Sequence, residues 1–200
     1  MSEYIGDIYY NYGRSLYINM TNLCCNRCEF CIRNMADSLG SADSLWLKRE
    51  PKYYELIEGL EEINLNSYDE IVFCGYGEPT ERIDDLINLT KEIKSRANVM
   101  VRINTNGLGN LINGYDITPL LENVIDSVSV SLNATDAASY NDLCHPKFGL
   151  DAYPALIEFT QKVKKHVPDV RMSVVSVIST EDIKKCERIA NDLGVKFRVR

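Results

Sequence analysis

The sequence predicts an α/β fold, a partial (β/α)6 TIM-like barrel of parallel strands in a single domain that spans residues 1–200. Apolar runs with strand character recur along the chain, at 15–19, 70–74, 99–104, 127–132, 170–178 and 195–200. Stretches with apolar residues at helical spacing lie between them, at 51–63, 81–95, 152–166 and 180–193. Strands that alternate with helices pair in parallel through right-handed crossovers, and a closed eight-unit barrel takes about 250 residues. Six units in 200 residues therefore correspond to a partial barrel, with an open doubly wound sheet as the alternative.

Each predicted element has its own boundary signals. Residues 1–14 form a segment that precedes the first strand. Pro51 suits the first turn of the first helix, Thr180 begins the last helix, and Gly194 follows its end. In either architecture ligands bind at the carboxyl ends of the strands, so the residues just after each strand are the candidates for function.

Composition narrows the class of protein. The chain is 45% hydrophobic and 26% charged, which is typical of a globular protein. It has no apolar run long enough for a membrane span and no secretory signal, so we expect a cytoplasmic protein without membrane contact. The formal charge of −7 gives no support to nucleic-acid binding, which relies on clustered Lys and Arg.

Four of the seven cysteines fall in one short loop after the first predicted strand, CCNRCEFC at 24–31. Clustered thiols indicate a metal site in a reducing compartment. A ferredoxin-type site would need a further cysteine at position 35, where Met35 stands. A zinc site usually needs a second ligand pair, which the sequence lacks, so zinc is the second interpretation. The remaining one is an iron–sulfur cluster held by Cys24, Cys28 and Cys31, with one iron left open.

This loop resembles the hallmark of the radical S-adenosylmethionine (SAM) superfamily, C-x3-C-x-aromatic-C, with Phe30 at the aromatic position. The resemblance implies that Cys24, Cys28 and Cys31 bind three irons of a [4Fe-4S] cluster. It also implies that the amino and carboxylate groups of SAM bind the fourth iron. The cofactors expected from it are therefore a [4Fe-4S] cluster and SAM, in an oxygen-sensitive enzyme of the radical SAM type without an auxiliary-cluster domain.

Other strand ends resemble further motifs of the same superfamily. The segment Gly75-Tyr76-Gly77-Glu78-Pro79 is similar to its GGEP motif, with Tyr76 in place of the first glycine. The resemblance implies that this turn meets the SAM ammonium, and small residues such as Gly75 and Gly77 would let backbone groups approach it. Further SAM contacts are implied at the ends of the third and fourth strands, at Asn104, Thr105, Asn106, Ser129, Ser131 and Asn133. On the fifth strand Val177 is a candidate to flank the adenine, with a place in the barrel core as the alternative.

The segment 15–34, the GYGEPT sequence and the short length resemble the TatD-associated radical SAM family. The family name implies association with a TatD-type nuclease, but it implies no particular substrate. The superfamily chemistry implies an electron donor of the flavodoxin or ferredoxin type. Arg14 and Arg33 are expected to flank the cysteine loop, where their positive charge would favour such an anionic partner. A half-open barrel further suggests a large or protein-borne substrate.

The remaining cysteines are interpreted without a catalytic role. Cys25 is the spare thiol of the loop, Cys74 is a small buried hydrophobe, and Cys186 is structural. Cys144 and His145 are expected in a surface loop. The alternatives to a radical SAM enzyme are a zinc-stabilised binding protein and an iron–sulfur electron carrier or redox sensor.

Overall fold

The computed structural model describes residues 4–200 and contains one seven-stranded sheet in the order β1-β2-β3-β4-β5-β6-β7. Its strands are β1 (Tyr9–Tyr12), β2 (Ser15–Ile18), β3 (Glu70–Phe73), β4 (Met100–Thr105), β5 (Ser127–Ser131), β6 (Asp169–Val174) and β7 (Lys196–Val199). All neighbours pair in parallel except β1, which runs antiparallel to β2. The prediction of a parallel α/β sheet is confirmed.

Helices connect the parallel strands. They are α1 (Tyr53–Glu61), α2 (Ile83–Arg96), α3 (Gly109–Asn113), α4 (Ala137–Cys144), α5 (Ala152–Val163) and α6 (Thr180–Asp192). Short 3-10 turns occur at Ile32–Asn34, Leu65–Ser67, Pro79–Arg82, Thr118–Leu121 and Gly149–Asp151. No helix within residues 4–200 combines the length and apolar character that a membrane crossing requires.

The structure corrects the predicted elements in three places. The segment 1–14 contains the strand β1, which forms a hairpin with β2 around Gly13 at a φ of 61°. The fifth predicted strand ends at Val174 rather than at 178, and residues 176–177 form a turn. Helices α3 and α4 were not predicted, because α3 has only five residues and α4 buries only Tyr140 and Cys144 among its eight.

The two faces of the sheet differ in chemistry. One face packs on the helices through apolar residues of alternate strand positions, among them Leu16, Phe73, Ile103, Val128 and Met172. Because strand side chains alternate between faces, the intervening residues lie on the opposite face, here called the inner face. Its members include Tyr17, Glu70, Val72, Arg102, Asn104, Ser127, Ser129, Ser131, Asp169, Arg171, Ser173, Lys196 and Arg198.

Ion pairs join strands across the inner face. Arg102 on β4 contacts Glu70 on β3 at 2.6 Å and donates to the Asn104 side chain at 2.5 Å. Asp169 on β6 accepts from Ser127 at 2.7 Å and from Lys196 at 2.6 Å, and it also pairs with Arg171. Both acidic groups of this face are therefore already neutralised by neighbouring cations.

We expect Asp169→Asn to lower the free energy of unfolding by about 2 kcal/mol at pH 7, because hydrogen bonds to a charged group are lost. Burial tends to raise the pKa of Asp169, but the bonds from Lys196, Ser127 and Arg171 together hold it well below its usual range. Such a carboxylate stabilises the fold above its unfolded pKa of about 4, and this contribution is lost as the pH falls towards the folded pKa. Urea unfolding should show the difference between the two proteins shrinking from pH 7 to pH 3. A constant difference would contradict this assignment.

Candidate functional site

The cysteine loop follows β2 at the carboxyl edge of the sheet, as predicted. Cys24, Cys28 and Cys31 are each partly exposed there, whereas Cys25 is buried. The loop closes on itself, since the amide of Cys31 donates to the carbonyl of Cys28 at 3.1 Å and Arg33 donates to the carbonyl of Asn26 at 3.1 Å. No group of three or more His, Cys, Asp or Glu side chains within residues 4–200 is arranged to hold a metal ion.

The carboxyl end of α4 anchors the cysteine loop. Backbone hydrogen bonds link the two segments, from Arg27 N to Cys144 O (3.0 Å), from Glu29 N to Leu143 O (3.1 Å) and from Lys147 N to Cys25 O (2.7 Å). The Asn26 side chain also donates to the Tyr140 hydroxyl at 2.9 Å. The expectation of a surface loop at Cys144 and His145 is therefore wrong for Cys144, which is fully buried at the end of this helix. His145 lies next to it in a left-handed conformation, 3.3 Å from Glu29.

The thiols of the loop differ in acidity. Burial, and then the nearby Glu78 carboxylate, raise the pKa of Cys24 to about 12, and the same two causes raise the pKa of Cys25. A hydrogen bond from the buried Cys144 thiol lowers the pKa of Cys28 and raises that of Cys144 itself. Metal ions bind thiolates, so a metal bound by Cys24 would displace its proton, and such binding would be favoured by higher pH.

Glu78 joins the turn after β3 to the end of β4. Its carboxylate is 3% exposed and accepts hydrogen bonds from the Thr80 hydroxyl (2.8 Å) and amide (3.2 Å), the Thr105 hydroxyl (2.7 Å) and the Asn106 amide (2.7 Å). Burial raises the pKa of Glu78, and these four hydrogen bonds oppose that rise. Protein donors therefore occupy both carboxylate oxygens of the residue that the GGEP resemblance places near the SAM ammonium.

Asn106 connects the end of β4 to the cysteine loop. Its side-chain amide lies 3.3 Å from the Cys25 sulfur and 4.0 Å from the Cys24 sulfur, while its carbonyl accepts from the Leu108 amide at 2.9 Å. Thr105 is 2% exposed, and its hydroxyl also accepts from the Gly107 amide at 3.0 Å. The structure thus brings three of the predicted motifs together, the cysteine loop, the GEP turn and the Thr-Asn-Gly segment.

The two glycines of the GYGEP turn face the start of the cysteine loop. A Cβ on Gly77 would lie 2.2 Å from the carbonyl oxygen of Thr21 and 2.6 Å from that of Leu23. A Cβ on Gly75 would lie 2.0 Å from the Asn19 side-chain oxygen. The glycines therefore allow the segment before Cys24 to pack on the turn, which is a structural use that the sequence motif alone does not show.

We expect Gly77→Ala to displace the segment before Cys24 and to lower both stability and cluster content. Forcing a methyl group against backbone carbonyls costs about 1–3 kcal/mol or more, since backbone cannot yield by changing rotamer. Iron content after anaerobic reconstitution and urea unfolding would measure the two effects. Gly114→Ala is the matched control, because Gly114 has a φ of 74° but open space around it, so only backbone strain is added. Equal iron loss in both variants would contradict the role of Gly77.

The other predicted site residues have varied surroundings. Tyr76 is buried, with its ring 5.0 Å from that of Trp46 and its hydroxyl bonded to the Ala36 carbonyl. Pro79 is buried at the start of a 3-10 turn, and Phe30 is partly buried against the core. Neither Tyr76 nor Pro79 therefore exposes its side chain at the edge of the sheet.

The predicted residues of β4 and β5 lie on the inner face. Asn104 and Ser129 are register partners, and Ser131 accepts a hydrogen bond from Arg200 at 3.1 Å. Asn133 has a left-handed φ of 56°, and its side chain accepts from the Val175 amide at 3.3 Å. These four residues lie at or near the carboxyl ends of β4 and β5, where the sequence predicted them.

Two predicted positions do not fit the expected arrangement. Val177 lies beyond β6 in a turn and is 59% exposed, because the strand that was expected to carry it stops at Val174. Arg14 does not flank the cysteine loop, since it lies in the β1–β2 hairpin at the opposite end of β2 and pairs with Asp69 at 2.6 Å. Arg33 does lie beside the loop.

Sequence reasoning missed the anchoring role of α4. Two sequence signals could have revealed this helix. Asp136 caps it by accepting a hydrogen bond from the Ser139 amide, and Tyr140 and Cys144 lie at helical four-residue spacing. It also missed a cavity of about 310 Å³ beside the loop, lined by residues that include Cys24, Cys25, Glu81, Leu111 and Lys147. No local sequence pattern predicts that cavity, because the residues that line it come from four separate segments of the chain.

A parallel α/β sheet with a cysteine loop, a glycine-rich turn and polar strand ends gathered at its carboxyl edge defines the partial-barrel class of α/β proteins. The chain belongs to the radical SAM superfamily, whose family model matches residues 18–193. No curated protein sequence matches it.

Solved structures with the same fold include a radical SAM methyltransferase from Sphaerobacter thermophilus, which is 17% identical with a TM-score of 0.66 over 96% of this chain and 57% of that one. Streptococcus suis SuiB bound to S-adenosylmethionine is 18% identical with a TM-score of 0.56, over 92% of this chain and 37% of that one. Methylornithine synthase (PylB) is 14% identical with a TM-score of 0.60, over 93% of this chain and 52% of that one. The chain thus spans between about a third and three fifths of the length of these structures. Their likeness confirms the partial-barrel fold.

Proposed function

We propose that this chain holds a [4Fe-4S] cluster through Cys24, Cys28 and Cys31 and uses it for reductive cleavage of SAM. The observation that carries the proposal is the meeting of the cysteine loop with the GEP turn and Asn106 at one sheet edge. The donor set fits such a cluster, because three partly exposed thiols on one loop supply the soft ligands that iron–sulfur clusters require. Superfamily membership and a similar structure that contains SAM support the choice of ligand.

When bound, the cluster would supply one electron that splits SAM into methionine and a 5'-deoxyadenosyl radical, which takes a hydrogen atom from the substrate. The protein's part is to fix the ligands and to align the substrate hydrogen. Glu78 holds the ends of β3 and β4 together, and α4 holds the loop above them. The Asn106 side-chain amide donates to the spare Cys25 thiol and lies 4.0 Å from the sulfur of Cys24, where a donor would stabilise negative charge on a ligating thiolate.

The same proposal includes partners. A flavodoxin or ferredoxin-type protein would deliver the electron in the cytoplasm, and resemblance in the cysteine segment supports association with a TatD-type nuclease. A large or protein-borne substrate remains part of the proposal, because a partial barrel is half open. Strand β1, which is rich in Tyr, extends the sheet beside β2.

The test of this function is anaerobic reconstitution followed by incubation with SAM and dithionite. We expect brown protein with about four irons and four sulfides per chain, as a [4Fe-4S] cluster requires, and formation of 5'-deoxyadenosine. Colourless protein with one bound zinc would support a zinc-stabilised binding protein instead. A stable cluster that never cleaves SAM, with candidate substrates present, would support an electron carrier or redox sensor.

A further inference from the structure

The inner face concentrates positive charge in a chain that is acidic overall. The formal charge of the whole chain is −7. On the inner face, however, β3 and β6 each contribute one acidic residue, whereas the cations come from β4, β6 and the β7 segment, namely Arg102, Arg171, Lys196, Arg198 and Arg200. A face on which positive charge is in excess attracts anionic ligands.

The two acidic residues do not neutralise the β7 arginines. Glu70 pairs with Arg102, and Asp169 pairs with Arg171 and Lys196. Within residues 4–200, no carboxylate forms an ion pair with Arg198 or Arg200, and Arg200 donates to the neutral Ser131 hydroxyl. Arg198 is the register partner of Ser173, so both side chains lie on the same face of adjacent strands.

Buried donors without acceptors lie beside these arginines. Ser173 is 1% exposed, and its hydroxyl has no hydrogen-bond partner in the described part of the chain. The Nε of Arg171, two residues earlier on β6, is also buried without a partner. An orphaned buried polar group is costly, so native structures normally satisfy it with protein, water or ligand. The Ser173 hydroxyl and the Arg171 Nε can each donate a hydrogen bond, and they lie next to Arg198 and Arg200, which form no ion pair within residues 4–200. A ligand rich in acceptor atoms would satisfy both donors.

We propose that the β7 side of the inner face, formed by Arg171, Ser173, Arg198 and Arg200, binds the anionic group of the substrate, a carboxylate or a phosphate. The site adjoins the carboxyl edge, because Arg200 reaches Ser131 at the end of β5. Calling the bound anion a substrate rests on the proposed function, whereas the anion site itself does not.

The test is calorimetric titration of reconstituted protein with inorganic phosphate and, separately, with succinate, at constant ionic strength set by chloride. We expect saturable binding that Arg198→Gln weakens about tenfold, the usual scale for losing one charge-assisted hydrogen bond. The matched control is Arg188→Gln, which removes the same charge from the exposed surface of α6 and should change nothing. Ser173→Ala should weaken anion binding as well, about threefold, the lower end for a neutral hydrogen bond. The tighter of the two probes identifies phosphate or carboxylate as the recognised group.

The affinity for SAM, measured on the same variants, separates this site from the SAM site. Unchanged SAM affinity with weakened anion binding in Arg198→Gln supports the proposal. Equal anion affinity in Arg198→Gln and Arg188→Gln, or no saturable binding of either anion, overturns it. Loss of SAM affinity in Arg198→Gln also overturns it, since Arg198 would then serve SAM. Production of 5'-deoxyadenosine reports separately on the proposed function, so each can fail without the other.

Discussion

Cys28→Ala is expected to abolish the cluster and all 5'-deoxyadenosine formation, whereas Cys25→Ala should retain both. The two thiols are close in sequence but differ in setting, since Cys28 is partly exposed and Cys25 is buried against Asn106 and Asn26. A cluster with only two thiolates on this loop would be lost during reconstitution, because Fe–S clusters are held by cysteine thiolates. Iron and sulfide content, together with product analysis, would measure the outcome.

Cys186→Ala serves as the control for thiol number. Cys186 is buried in α6 and contacts the Ala134 carbonyl at 3.4 Å, far along the chain from the loop. The Cys186→Ala protein should keep the cluster and lose only a little stability. If Cys25→Ala lost the cluster while Cys28→Ala kept it, the assignment of ligands would be wrong.

Glu78→Ala is expected to cause the largest loss of stability among the site variants, on the order of 3–5 kcal/mol. The change removes an acceptor of four hydrogen bonds and leaves the Thr80 and Thr105 hydroxyls and the Asn106 amide without it in a buried place. The Asn106 amide also aligns the side chain that reaches Cys25, so SAM cleavage should fall with stability. Urea unfolding and iron content would measure the two effects.

Glu78→Gln distinguishes the charge of this residue from its shape. The variant keeps the size of the side chain but turns one acceptor into a donor that faces other donors, so it should lose stability as well, by about 1–3 kcal/mol. Glu81→Gln is the matched control in the same turn, because no hydrogen bond or ion pair of its carboxylate is seen within residues 4–200. A Glu78→Gln protein as stable as Glu81→Gln would contradict the bonding role of Glu78.

The carboxyl-edge motifs could be located from sequence because each follows an apolar run. Cys24 to Cys31, Gly77 to Pro79 and Thr105 to Gly107 all fall at the predicted ends of parallel strands, where such loops converge. The structure confirms their proximity through the contacts of Asn106 and Glu78. Their individual contacts with SAM stay predictions.

The missed parts depend on tertiary contacts. Strand β1 is rich in Tyr and Asn rather than aliphatic residues, although the Gly13-Arg14 connection between two short runs is a hairpin signal. Cys144 is buried because α4 packs on the cysteine loop. No local sequence pattern encodes this contact between distant segments. Val177 was misplaced because the apolar run 170–178 continues past the end of β6 at Val174 into a turn at 176–177.

The order of the strands in the sheet is the same as their order along the chain. No strand has to insert between two that are already paired, so the sheet can grow from one edge as the polypeptide is synthesised. Contacts of this kind keep sequence separations short for a parallel sheet and shorten the search for native pairing. The cysteine loop and the GEP turn that supports it would then assemble between β2 and β4, before the cationic β7 side of the inner face is synthesised.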